Sequence, residues 1–182
     1  MRSNAVKALI VACIFMLFYI WFRFKDIRFA GSAIIALVHD VLVMLTGYAL
    51  IRISVGNTFI ACVLTIVGYS INDTIVIFDR IRENMQGMKK QTPETLAEVA
   101  NRSLTQTLSR SLNTSITTII MVLLLFILGV SSIREFALPL MIGLISGTYS
   151  SIFIAAALWY VMKLHLGKDK LMKAAAAKTK KK

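Results

Sequence analysis

Long apolar stretches alternate with short charged segments along the chain. A helix rises 1.5 Å per residue, so about 20 apolar residues cross the hydrocarbon core of a membrane. Five stretches reach this length, and the charged residues gather between them. The pattern predicts an all-α, polytopic membrane helix bundle with five transmembrane helices, at residues 5–22, 30–51, 58–78, 111–130 and 137–162.

A further helix is predicted in the charged segment before the fourth span. Thr92 is a good capping residue, Pro93 suits the first helical position, and Glu94 is an acid in the first turn. Apolar residues then recur at helical spacing opposite polar ones: Leu96, Val99, Ala100, Leu104 and Leu108 against Glu98, Arg102 and Gln106. This pattern predicts an amphipathic helix over residues 93–109, lying on the cytoplasmic membrane surface and leading Arg110 into the fourth span.

Composition excludes most soluble functions. Of the 182 residues, 57% are hydrophobic and 16% charged, and the mean hydropathy is +0.73. A soluble domain of this length cannot bury so much apolar surface. The sequence shows no nucleotide-binding loop, no Ser/His/Asp arrangement and no cysteine or histidine spacing typical of zinc. We therefore expect neither an enzyme nor a cofactor.

The basic residues predict how the chain is oriented. By the predicted spans, 4 of the 21 Lys and Arg residues lie on one side of the membrane and 17 on the other. The positive-inside rule then places the amino terminus outside and the carboxyl terminus in the cytoplasm. Residues 1–163 form the transmembrane domain, and residues 164–182 form a basic tail predicted to be disordered. The net charge of +12 fits contact with anionic membrane lipids, and we expect no nucleic-acid partner.

Asp73 is the most costly residue in this arrangement. It belongs to the stretch GYSINDTIVIFDRIREN and lies inside the third span. A charged side chain at the centre of a span costs roughly 2.5–3.5 kcal/mol on insertion scales. One interpretation is a buried acid paired with a base to hold helices together. The other is a carboxylate that binds and releases a proton during transport, since burial favours its neutral form and a nearby cation favours its charged form.

Other polar residues accompany Asp73 in the predicted spans. Arg110, at the start of the fourth span, is the candidate cation, while Tyr69 and Asn72 would orient Asp73 or line a watery cleft. Asp40 and its neighbour His39 lie within the second span, where they would relay protons or hydrogen-bond to neighbouring helices. The fourth span also carries a stripe of hydroxyl residues, for interhelical contact or a proton path: Ser111, Thr114, Ser115 and Thr118.

The fifth span carries a pattern of small residues. They recur every four positions on one helical face: Gly143, Gly147, Ser151 and Ala155. Small side chains let helix backbones approach closely, as in GxxxG packing. The pattern predicts a tight helix interface along this face.

Several motifs together resemble the SecF-type members of the SecD/SecF family, within the resistance-nodulation-division superfamily. The motifs are ALVHD, GYSINDTIVIFDRIREN, NRSLTQTLSRSLNTSITT and REFALPLMIGLISGTYSSIFIAAALW, which follow the family's order. The resemblance as a whole covers residues 5–163. The family has six membrane helices with a periplasmic domain between the first two. The chain begins where the second helix is expected, and the orientation argument also predicts a missing preceding span.

The resemblance implies a role in protein export across the bacterial inner membrane, driven by the proton-motive force. It matches Asp73 and Arg110 to family positions implicated in proton conduction, and Asp40 to the family's HD motif. The partners it implies are SecD, the SecYEG channel, YajC, YidC and the translocating preprotein. Two alternatives stay open: a small-molecule or lipid efflux component of the same superfamily, and a non-conducting scaffold for the translocon.

Overall fold

A computed structural model describes residues 2–52, 56–86, 88 and 92–166 of the chain. These residues form helices and short connections without a β-strand, so the all-α prediction is confirmed. The helices are α1 (Arg2–Phe24), α2 (Ile27–Ile51), α3 (Asn57–Gln86), α4 (Pro93–Leu128), α5 (Ser131–Tyr149) and α6 (Ala156–Leu166). A π-helical turn, Ser150–Ala155, joins α5 to α6, so that these three elements make one rod. The predicted disordered tail lies outside the described residues from position 167 onward.

In the part of the chain that the structure describes, four helices are long and apolar enough to cross a membrane. They are Ile27–Ile51, Thr58–Gln86, Pro93–Leu128 and the joined rod Ser131–His165. The apolar part of α1, Ile10–Phe24, is shorter. The chain is therefore a multi-pass membrane protein. The count of five spans stays a prediction where α1 is concerned.

Helix α4 joins two segments that the sequence pattern separates. It begins at Pro93, where the Thr92 hydroxyl accepts a hydrogen bond from the Thr95 backbone N–H and the Thr95 hydroxyl accepts one from the Thr92 backbone N–H. This reciprocal cap satisfies backbone donors that a helix start leaves free. From there the helix continues to Leu128 without a break at Arg110. The predicted amphipathic helix is thus the first part of α4, and its place on the membrane surface stays a prediction.

The α5–α6 rod occupies the centre of the bundle and contacts α2, α3 and α4. At one end, an aromatic cluster joins the α1–α2 junction to α3 and α6. The ring of Phe29 lies 4.9 Å from that of Phe78 and 5.3 Å from that of Trp159, and Phe24 packs beside it. All four side chains are buried. This cluster fixes the ends of four helices and leaves the middle of the rod to meet the polar residues.

Two glycines set how closely α5 approaches α3. A Cβ atom on Gly143 would collide with the side chain of Ile66, and one on Gly147 would lie 3.2 Å from the Ser70 Cβ. Ser151 and Ala155, on the same predicted face, are buried as well. The small-residue face therefore lies against α3 and brings the polar groups of both helices within hydrogen-bonding distance.

We predict that Gly143→Ala lowers the free energy of unfolding by about 1–3 kcal/mol, because the added methyl group overpacks a filled interface. Ile66 is only 1% exposed and has little room to yield. The measurement is thermal unfolding of the purified protein in detergent. Gly68→Ala is the matched control, since no atom lies within 4 Å of the added Cβ. Equal unfolding temperatures for the two variants would contradict this account of the interface.

Candidate functional site

Asp73 lies on α3 where that helix faces α4 and the α5–α6 rod. Its carboxylate is 9% exposed, and its Oδ1 accepts a 2.6 Å hydrogen bond from the Ser111 hydroxyl of α4. Its Oδ2 is buried and has no hydrogen-bond partner in the described part of the chain. An ionised oxygen without a donor is very costly in an apolar environment. In this arrangement Ser111 binds one oxygen, and a proton on the other oxygen would remove the charge that burial disfavours.

Arg110 precedes Ser111 on α4, but its side chain is exposed. Among the described ion pairs none joins Arg110 to Asp73. Consecutive residues point about 100° apart on a helix. Helix α4 can therefore turn either Ser111 or Arg110 toward Asp73, but not both at once. The guanidinium therefore lies beside the site and does not contact the acid.

Tyr69 and Asn72 do not hold Asp73. The Tyr69 hydroxyl donates to Ser115 Oγ at 3.1 Å, and the Ser115 hydroxyl lies 2.7 Å from that of Thr148. The Tyr69 hydroxyl therefore bonds to Ser115 and does not orient Asp73 by a direct hydrogen bond, while its other predicted role, lining a watery cleft, stays a prediction. Asn72 is exposed, about 100° around α3 from Asp73. The residue that orients Asp73 is Ser111, which the sequence marked only as part of a stripe.

Asp40 has a different environment, since its carboxylate is fully buried and both oxygens accept hydrogen bonds. Three hydroxyl groups from neighbouring elements donate to it. Ser70 Oγ lies 2.6 Å and Ser150 Oγ 2.7 Å from Oδ2, and Ser146 Oγ lies 2.9 Å from Oδ1. His39 Nδ1 lies 3.2 Å from Oδ1, while the rest of that side chain is partly exposed.

Sequence reasoning missed the three serines around Asp40. Ser70 is inside the motif that contains Asp73, and Ser146 and Ser150 are four residues apart, hence on one face of a helix. That spacing is the available signal, but small hydroxyl residues are common in membrane helices for several reasons. Only the fold shows that α3 and α5 turn these serines toward the same acid on α2.

The segment Ser146–Ser151, here called the hydroxyl segment, connects the bundle through its side chains. Ser146 and Ser150 bind Asp40 on α2, and Thr148 binds Ser115 on α4. Ser151 lies 2.9 Å from the Thr74 hydroxyl and donates to the Ser70 carbonyl of α3 at 3.3 Å. The π-helical turn begins at Ser150, and both Ser150 and Ser151 are fully buried. Such turns widen a helix locally and are frequent at functional sites.

The hydroxyl stripe on α4 divides into two kinds of residue. Ser111 and Ser115 face inward and reach α3 and α5, as described above. Thr114 and Thr118 instead donate to carbonyls of their own helix, at 2.9 and 2.8 Å. In the described residues no cluster of His, Cys, Asp and Glu could hold a metal ion. The buried carboxyl group of Asp73 is a group that can bind or release a proton when its surroundings change.

We predict that Ser111→Ala moves the carbonyl stretching band of protonated Asp73 to higher wavenumber. The hydroxyl is the hydrogen-bond donor to Asp73, and loss of that bond strengthens the carbonyl double bond. Infrared difference spectra would measure the band, with Asp73→Asn identifying it by its disappearance. Thr114→Ala is the control, because the Thr114 hydroxyl bonds to its own helix. An unmoved band in Ser111→Ala would show that Ser111 does not bind Asp73.

Comparisons with known proteins identify the family. Residues 1–165 match the family model described as "Protein export membrane protein SecD/SecF, C-terminal". The chain is 52% identical to protein translocase subunit SecF of Alicyclobacillus acidocaldarius, over 86% of this chain and 50% of that protein. It is 45% identical to protein translocase subunit SecDF of Bacillus subtilis, over 90% of this chain and 22% of that protein.

Solved structures show the same fold. A crystal structure of SecDF from Thermus thermophilus, described as a translocon-associated membrane protein, matches with a TM-score of 0.83 and 45% identity. The match covers 89% of this chain and 22% of that one. The chain thus spans about half the length of the SecF relatives it matches and about a fifth of the SecDF relatives. This chain therefore belongs to the SecD/SecF family of protein-export membrane proteins.

Proposed function

We propose that this chain forms the membrane part of a SecF-type subunit that uses the proton-motive force to assist preprotein translocation. The observation that carries the proposal is the Asp73 carboxyl group, buried with one oxygen bound by Ser111 and the other without a partner. Membership of the SecD/SecF family supports a role in protein export. The proposal makes the chain a transport subunit and assigns it no enzymatic reaction or cofactor.

The mechanism follows from the two surroundings that Asp73 can have. In the bundle as described, a proton on Oδ2 removes a charge that the apolar interior does not tolerate. If α4 turns so that Arg110 replaces Ser111 beside the acid, the guanidinium favours the ionised carboxylate and the proton leaves. Each charge that crosses a membrane potential of 100 mV yields roughly 2.3 kcal/mol. Proton binding and release at Asp73 would thereby drive relative movement of α3 and α4.

An exposed polar flank on α4 supports a partner within the membrane. Its residues recur at helical spacing and all are exposed: Arg110, Asn113, Thr114 and Thr117. Exposed Asn72 on α3 adds a further polar group. Polar side chains at membrane depth normally face other helices and avoid lipid. We assign this flank to a second helix bundle, that of SecD, and infer association of the pair with the SecYEG translocon.

The charge distribution supports an orientation for the proposed complex. The aromatic cluster of Phe24, Phe29, Phe78 and Trp159 lies at the end that carries the basic loops and the inner ion pairs. Basic residues prefer the cytoplasmic side. We infer an inner-membrane location with the amino terminus outside and this end in the cytoplasm. The polar flank then starts near the cytoplasmic surface, where Asp73 would exchange its proton with water beside the Arg110 guanidinium.

We predict that Asp73→Asn abolishes the stimulation of preprotein export by a proton gradient, because the amide cannot bind and release a proton at this position. Export would be measured in membrane vesicles from cells carrying the variant at the native gene, with assembly checked by co-purification. Asp79→Asn is the matched control on the same helix, since Asp79 pairs with Arg23 outside the bundle core. Full gradient-driven export by an assembled Asp73→Asn complex would favour the scaffold alternative.

We predict that Asn113→Cys forms a cross-link to a membrane helix of SecD, because the polar flank faces that partner. Single cysteines would be introduced into this chain and into membrane helices of SecD, both otherwise free of cysteine, and oxidation of the membranes to a disulfide would give a product of added mass. Leu112→Cys is the comparison, since Leu112 is exposed about 100° around the helix from Asn113, away from the polar flank. Reaction at Leu112 with none at Asn113 would place the partner on the apolar side and contradict the assignment of the flank.

A further inference from the structure

The two buried acids differ in how completely they are bound. Asp40 accepts hydrogen bonds at both oxygens, from Ser70, Ser146 and Ser150, whereas Asp73 accepts one and leaves Oδ2 without a partner. Hydrogen bonds of 2.6–2.9 Å to hydroxyl groups satisfy a carboxylate that has no access to water. An acid that must take up a proton in each cycle needs an oxygen to which a proton can move.

We propose that Asp40 is a positioning residue that clamps the hydroxyl segment against α2 and α3, and that it is not a second proton carrier. The proposal rests on the proposed function in one respect, namely that Asp73 exchanges the proton. Its structural part stands on the geometry around Asp40 alone.

The clamp acts on three elements at once. Ser146 and Ser150 bring the rod to α2, and Ser70 brings α3 to the same carboxylate. Gly147 lies between these serines, where a Cβ atom would be 3.4 Å from Ser70 Oγ and 3.7 Å from Asp40 Oδ2. The acid therefore holds α5 at the close approach that glycine permits.

The clamp is connected to Asp73 through the next residue of the π-helical turn. Ser151 follows Ser150 and lies 2.9 Å from the hydroxyl of Thr74, which follows Asp73 on α3. Ser70 is three residues before Asp73, hence one turn away on the same face of that helix. Asp40 thus fixes α3 on one side of Asp73 through Ser70, and on the other through Ser150 and Ser151.

Few of the groups that face Asp40 could exchange a proton with it. From its own helix His39 approaches Oδ1, and from α3, α5 and the π-helical turn the contacts are hydroxyl groups and Gly147. Asp73, one turn along α3 from Ser70, is the next acid. Within the described part of the chain, no hydrogen bond connects the two carboxyl groups directly. Each donor to Asp40 comes from a different turn of a packed helix. This arrangement is typical of a residue that holds helices together.

Asparagine can replace Asp40 if the aspartate only holds helices together, but not if it carries a proton. Its amide oxygen accepts from Ser146, and its NH₂ group donates to the oxygens of Ser70 and Ser150, since a hydroxyl group both donates and accepts. Ser150 then donates to the Gly147 carbonyl, which already lies 3.2 Å away. Leucine has nearly the same size but offers no acceptor, so it leaves three buried hydroxyl groups without their partner.

The test compares Asp40→Asn, Asp40→Leu and Asp73→Asn, each placed at the native gene so that the protein keeps its natural length and partners. We expect Asp40→Asn to retain gradient-driven export within about twofold and to unfold in detergent at nearly the unmodified temperature. We expect Asp40→Leu to lose more than about tenfold of that export and to unfold at a lower temperature. Loss of gradient-driven export by a stably folded Asp40→Asn protein would overturn the proposal and make Asp40 a proton carrier.

A spectroscopic measurement separates positioning from simple loss of stability. Asp40→Leu should shift the infrared carbonyl band of protonated Asp73, because the Ser151–Thr74 contact moves when the clamp is released. Tyr48→Phe is the matched control, since it removes another buried interhelical contact of α2, the Tyr48 hydroxyl to Cys62 Sγ at 3.5 Å. An unshifted band in Asp40→Leu would contradict the positioning role.

Failure of the proposed function would give a different result. If Asp73→Asn left gradient-driven export intact, the assignment of the proton to Asp73 would be wrong. The unfolding temperatures of Asp40→Asn and Asp40→Leu would still decide whether Asp40 is a clamp that accepts an amide and rejects an alkyl group. Equal destabilisation by both substitutions would overturn the clamp whatever the outcome at Asp73.

Discussion

The cost of placing a carboxylate among apolar helices governs the rest of this structure. Burial away from water is costly for a charged group, so each buried acid must be satisfied by protein groups or carry a proton. The chain meets this requirement in two ways, with Asp40 bound at both oxygens and Asp73 at one. Two residues of the same type, on neighbouring helices, thereby acquire different environments from the number of hydroxyl groups that reach them.

Small side chains on α5 make both arrangements possible. Gly143 and Gly147 let the rod lie close against α3, and the serines beside them are short enough to bridge the remaining gap. Lipid offers no hydrophobic driving force between helices, so close packing and interhelical hydrogen bonds hold the bundle together. The same face thus contributes to stability and to the environment of the acids. A larger residue there would separate the helices and remove the hydrogen bonds together.

In the proposed mechanism, the position of Arg110 determines how the favoured charge state of Asp73 changes. Ser111 and Arg110 are neighbours on α4, but one faces the acid and the other is exposed. A rotation of α4 would exchange a neutral donor for a cation beside Asp73, and so change which charge state the site favours. The exposed polar flank that includes Arg110 is where a second bundle would cause or sense such a rotation. Coupling between partner and proton would then need no contact between the partner and the acid itself.

The sequence by itself determined the helical membrane class, the approximate spans, the cap at Thr92 and the family, because apolar run length, capping chemistry and motif order are local properties. It also marked Asp73, Asp40 and Arg110, since charges inside apolar runs are conspicuous. Only the tertiary structure decided that Ser111 and not Tyr69 binds Asp73, and that Ser70, Ser146 and Ser150 surround Asp40. Those pairings depend on helix rotation and on a π-helical turn, which are set by packing between segments up to 110 residues apart in the chain.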